Sequence, residues 1–86
     1  MKILLLSILL FFTQPTLADF AKGFDAHLEG DFATALKEYK PLAEQGDARA
    51  QFLLGSMYQS GEGVTQDDKT ALKYFTLAAG QGDAEA

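Results

Sequence analysis

The sequence predicts an all-α chain: a short α-solenoid of helix-turn-helix repeats behind an N-terminal export signal. Three observations carry this. The sixteen-residue block Ala35 to Ala50 returns 36 residues later at Ala71 to Ala86, with Ala, Leu, Lys, Ala, Gln, Gly, Asp, Ala and Ala in identical places and no gap. A period in the mid-thirties is the length of a two-helix solenoid unit. Apolar residues between the glycines fall three and four apart, which is one face of a helix. The third observation is an apolar run at the start that stands outside the repeat.

That run explains why hydrophobic residues are unevenly spread. Met1-Lys2 precedes Ile3 to Phe12, broken only by Ser7, and then Thr13-Gln14-Pro15 and Thr16-Leu17-Ala18. A basic start, an apolar core and a small-residue site are the order of a secretory signal peptide, here residues 1–18 with cleavage after Ala18. The run is about half of the roughly twenty apolar residues that a bilayer span needs, and Pro15 interrupts any helical continuation. No stable membrane insertion is expected after cleavage; the alternative reading of the same segment is an uncleaved membrane anchor. The expected location is periplasmic or secreted.

Composition narrows the function classes. The 86 residues carry a net charge of −5 and no cysteine. Disulfides and thiolate metal sites are excluded. The acidic balance argues against nucleic acid, whose phosphates require clustered Lys and Arg. A core of this size, without disulfides, is marginal and rests on packing alone.

Four helical stretches follow in order. Phe20, Phe24 and Leu28, spaced by four, mark a short helix running to Gly30. Asp31 to Gln45 carries Phe32, Ala35, Leu36, Tyr39, Leu42 and Ala43 on one face, with Asp31 as N-cap and Gly46 just past the end. Pro41 lies inside it and predicts a kink or local break. Asp47 caps the next segment, in which Ala50, Leu54, Met57 and Tyr58 share a side and Gly61 ends the helix. The last begins at Asp67 or Asp68, runs through Ala71, Leu72, Phe75, Ala78 and Ala79, and closes at Gly80 or Gly82. Gly55, inside an otherwise strong helix, costs about 1 kcal/mol in propensity and predicts a close helix crossing.

Residues 48–83 then resemble one complete Sel-one-like repeat (SLR), a relative of the tetratricopeptide repeat. The matching residues are the Ala48-x-Ala50-Gln51 start, Leu54-Gly55-x-Met57-Tyr58, the Gly61-x-Gly63-Val64 loop, the opening from Asp67 to Ala71-Leu72, and the Ala78-Ala79-x-x-Gly82-Asp83 exit. Residues 19–47 are similar to a degenerate first repeat with a loop about five residues shorter. Residues 84–86 repeat the start of another unit. Solenoids usually need about three repeats, so a longer protein or self-association through an open C-terminal repeat edge is expected.

The resemblance implies a scaffold that binds a protein or peptide on its concave face, an adaptor or regulator in the cell envelope. The alternative use of the same surface is a small inhibitor that occludes one enzyme. In such a unit the concave face is lined by first-helix positions not used in packing, here Arg49, Leu53, Ser56 and Ser60. A shift of 31 residues adds Lys22, Asp25 and Glu29. Leu53 is the candidate apolar anchor, and Arg49 and Lys22 are candidates for a ligand carboxylate. No enzyme is expected: His27 is the only histidine and has no identifiable nucleophile partner. The Ser-x-x-Lys motif of β-lactam hydrolases is absent after Ser56 and Ser60. No cofactor or metal is implied, since Glu62, Asp67 and Asp68 lack the alternating ligands of a calcium loop.

Overall fold

The computed structural model describes residues 18–85, with the backbone alone for 82–85. The expected export signal therefore lies outside the described residues, except for Ala18. The chain forms four helices: α1 Phe20–Leu28, α2 Phe32–Glu44, α3 Ala48–Ser60 and α4 Asp68–Glu85. They pack in chain order, α1 on α2, α2 on α3 and α3 on α4. Two helical hairpins are thus stacked side by side, as a two-helix repeat requires.

Each start is fixed by an aspartate. Asp19 accepts from the Lys22 N–H, Asp31 from Thr34, Asp47 from Arg49 and Ala50, and Asp67 from Lys69 and Thr70. The carboxylates satisfy N–H groups that lack an intrahelical acceptor. The turns after α1, α2 and α3 contain Gly30, Gly46 and Gly61, all at positive φ. Gly61 closes α3 in the left-handed conformation, and Glu62 N–H reaches back to Met57.

The core joins both hairpins. Ala35, Tyr39, Ala50, Leu54 and Met57 have no exposed area, and Phe20, Phe32, Leu36, Leu42, Leu53 and Tyr74 pack around them. Small residues let the helices approach. A Cβ on Gly23 would stand 2.9 Å from the Tyr39 ring, and one on Gly55 would stand 2.7 Å from the Phe75 ring. The close crossing expected at Gly55 is present, and Gly23 supplies a second one.

Two sequence expectations need correction. Of the kink or local break expected at Pro41, the break does not occur: α2 runs through Pro41 to Glu44. The proline falls in the closing part of the helix, so only the bond to the exposed Lys37 carbonyl is lost, while buried Ala43 and half-buried Leu42 hold the final turn. The expected short helix is present: α1 runs from Phe20 to Leu28, up to the turn at Gly30, and buries Gly23 and Ala26. Phe24 and Leu28, which marked the helix, are 39% and 71% exposed. Finally, α4 does not close at Gly80 or Gly82 but continues helically to Glu85.

Candidate functional site

The two hairpins repeat the same contacts, which fixes their register. Gly23 meets the Tyr39 ring as Gly55 meets Phe75. The Phe20 and Tyr39 rings lie 5.7 Å apart, and the Phe52 and Phe75 rings 5.4 Å apart. First helices are therefore related by a shift of 32 residues and second helices by 36, because the α3–α4 loop is longer than the α1–α2 turn.

This register moves part of the expected site. With 32 in place of 31, Lys22 and Asp25 correspond to Leu54 and Met57, the face of α3 that packs into the core. Lacking a preceding helix among the described residues, that face of α1 is an outer edge. It forms a polar groove of about 640 Å3 whose lining includes Asp19, Lys22, Asp25, Glu29, Asp31 and Thr34. Lys22 Nζ stands 3.6 Å from Glu38 Oε2, and Glu38, itself buried, also accepts from the Asp19 N–H at 2.9 Å.

The true equivalents of Leu53, Ser56 and Ser60 in α1 are Ala21, Phe24 and Leu28. Phe24 and Leu28 thus share the outward line of the first helices, with Ser56 half-buried and Ser60 exposed on α3. Leu53 is half-buried and packs against the core. Sequence reading missed Phe24 and Leu28 as surface residues because a spacing of four reads equally as a core stripe. Counting the register from the paired glycines identifies them.

Arg49 has two roles. Its Nη2 and Nε donate to Asp47 at 2.8 and 3.2 Å, and its guanidinium sits 4.1 Å above the centre of the Phe20 ring. The hydrogen bond from Arg49 holds the Asp47 carboxyl below the usual range, and the same bond raises Arg49. Its side chain keeps 65% of its exposure, so the group reaches solvent beside the outward line.

His27 ties the hairpins together. Its Nδ1 is 3.2 Å from the Tyr39 hydroxyl and its Nε2 is 3.1 Å from Glu62 Oε1. Glu62 belongs to the α3–α4 loop, which folds back so that a Cβ on Gly63 would meet Phe32 Cβ at 2.7 Å. The other loop carboxylates are engaged separately. Asp67 caps α4 and accepts from the Thr70 hydroxyl at 2.9 Å, while Asp68 accepts from Gln66. These residues position the loop.

The opposite edge is apolar. Phe52, Phe75, Ala78 and Ala79 line an open groove of about 420 Å3 between the outer sides of α3 and α4. Phe52 is 54% exposed. Sequence reading passed over Phe52 because it lies off the apolar face of α3. Among the described residues no helix is long and apolar enough to cross a membrane.

Comparison with known proteins bears on these surfaces. The Sel1 repeat family model matches residues 48–83. An exopolysaccharide production negative regulator of Rhizobium leguminosarum bv. viciae is 40% identical over 63 residues, which are 73% of this chain and 24% of the relative. A protein of the same description from Rhizobium meliloti (strain 1021) is 35% identical over 63 residues with the same coverage. The chain spans about a quarter of the length of these relatives. No solved structure matches the chain. The matched segment is the α3–α4 hairpin with its loop, and the chain accordingly carries a Sel1 repeat at residues 48–83.

Proposed function

We propose that this chain is an exported regulator that acts by binding a protein or peptide partner across the outward faces of α1 and α3. The carrying observation is the exposed pair Phe24 and Leu28 on the line that continues through Ser56 and Ser60, with the Arg49 guanidinium beside it. Exposed apolar side chains beside a charged group on a rigid helical surface suit an extended or helical peptide. The repeat family supports binding rather than catalysis, since the fold itself supplies no catalytic set.

The relatives' description as negative regulators supports a finer reading: the bound partner belongs to the apparatus that controls extracellular polysaccharide, and binding lowers its output. The residues Met1 to Ala18 support export to the cell envelope as the place where this occurs. Deleting the gene in the organism that carries it should raise extracellular polysaccharide, and the wild-type chain should restore it. A chain with Phe24→Ser and Leu28→Ser, folded by circular dichroism, should fail to restore it. Unchanged polysaccharide on deletion removes the regulatory reading, and full restoration by the double variant removes the binding face.

A further inference from the structure

We propose that removal of the export signal completes this fold: hydrolysis of the Ala18–Asp19 bond creates an α-ammonium group on Asp19 that pairs with the buried carboxylate of Glu38. The inference rests on the reading of residues 1–18 as a cleaved signal. The Asp19 nitrogen stands 2.9 Å from Glu38 Oε1, and Glu38 is 7% exposed. Both groups are held in place. Gly23 lets α1 lie so close to α2 that a Cβ there would stand 2.9 Å from Glu38 Cβ. The Asp19 carboxylate accepts from the Lys22 N–H and its carbonyl accepts from the Gly23 N–H, so the first turn of α1 fixes the position of the nitrogen.

In the uncleaved chain this nitrogen is an amide with one N–H. Hydrolysis consumes one water, whose oxygen goes to the Ala18 carbonyl carbon and whose two protons go to the nitrogen. Ala18 leaves as a carboxylate, and Asp19 gains a full positive charge. A hydrogen bond with both partners ionised is stronger than one from a neutral amide. A cation at a helix N-terminus is disfavoured by the backbone dipole, and a carboxylate within hydrogen-bond distance offsets this. The other cation at Glu38 is Lys22, with Nζ 3.6 Å from Oε2 on a side chain 64% exposed, which makes a weak pair. Asp25, Glu29 and Asp31 line the same groove and favour a second positive charge. The second hairpin supplies the contrast. Through the shifts of 32 and 36, Asp19 and Glu38 correspond to Gln51 and Tyr74. Gln51 lies inside α3, where the chain runs on without a cleavage point, and the residue in the place of Glu38 is a neutral phenol. The buried carboxylate belongs to the hairpin whose first helix begins at the cleavage point.

The test expresses the full chain in an exporting bacterium and purifies the exported product. Two forms are compared: the natural sequence, and one with a serine inserted between Ala18 and Asp19, whose cleavage after Ala18 leaves Asp19 with an amide and moves the ammonium one residue away. Mass spectrometry should show products that begin at Asp19 and at the added serine. The natural product should melt higher by about 4–8 °C, the shift that a roughly fivefold change in the folding constant produces in a domain of this size. In a Glu38→Gln background, which keeps an acceptor oxygen without the charge, that difference should vanish. Equal melting of the two Glu38 products overturns the pairing and leaves the cleavage reading standing, as does a difference that survives Glu38→Gln. A natural product that retains residues 1–18 removes the cleavage reading and the proposal with it. Should the Glu38→Gln chain not fold, the comparison of the two Glu38 products still decides.

Discussion

Gly55 of α3 and Phe75 of α4 are in direct contact, so close that a Cβ on the glycine would stand 2.7 Å from two ring atoms. The propensity cost of a helical glycine, about 1 kcal/mol, is therefore the condition for seating the ring. Gly55→Ala should destabilise the chain by about 1–3 kcal/mol, the range for overpacking a filled site. Gly80→Ala should do the reverse, because nothing lies within 4 Å of a Cβ there, and should gain up to about 1 kcal/mol. Urea midpoints at equal slope check both. Stabilisation by both changes would show that propensity, rather than the Phe75 contact, governs Gly55.

The His27 bridge to Tyr39 and Glu62 joins α1, α2 and the α3–α4 loop. His27→Ala leaves the Tyr39 hydroxyl and the Glu62 carboxylate without this partner, an effect of about 1–3 kcal/mol. Glu62→Gln retains an acceptor oxygen and should cost less. Hydrogen exchange across residues 61–67 should quicken in the alanine variant. Unchanged exchange there would mean that Gly63 packing alone holds the loop.

Acid should weaken the fold through its caps. Asp47 is held below its ordinary value first by the Arg49 side chain, and Asp31 and Asp67 by the side chain and backbone of Thr34 and Thr70 respectively. A depressed folded-state value means that the unfolded chain takes up protons first. The stabilisation is fully present above the unfolded carboxylate value of about 3.9 and is lost as pH falls through the folded values below it. Urea midpoints should therefore change little from pH 7 to 5 on account of these groups and fall below about pH 4. Asp47→Asn keeps a capping oxygen and should flatten that fall; an undiminished slope assigns it to other carboxylates.

Leu53 distinguishes packing from binding. It is half-buried against the core, so Leu53→Ala should cost about 1–2 kcal/mol, below the 2–5 kcal/mol of a fully buried leucine. Leu28→Ser, on a residue 71% exposed, should change stability by less than about 0.5 kcal/mol. Thermal melts of the two variants separate the roles, and the opposite ranking would return Leu53 to the binding face.

The sequence by itself determined the four helices, the caps at Asp31 and Asp47, and the glycine stops at Gly46 and Gly61, because these depend on periodicity and on local hydrogen bonds. It also located the close approach at Gly55, since a glycine in a strong helix requires a compensating contact. Tertiary structure decided what period alone leaves open. Pro41 stays helical because Ala43 is buried just beyond it, an energy set by α3. The assignment of Lys22 and Asp25 to an outer edge, and of Phe24 and Leu28 to the outward face, follows from one residue of register. That residue is fixed by where Gly23 and Gly55 meet aromatic rings on the neighbouring helices. Which apolar side chains are core and which are surface is a property of the neighbouring helix: the same pattern is buried at Tyr39, where α3 lies over it, and forms an open edge at Phe75.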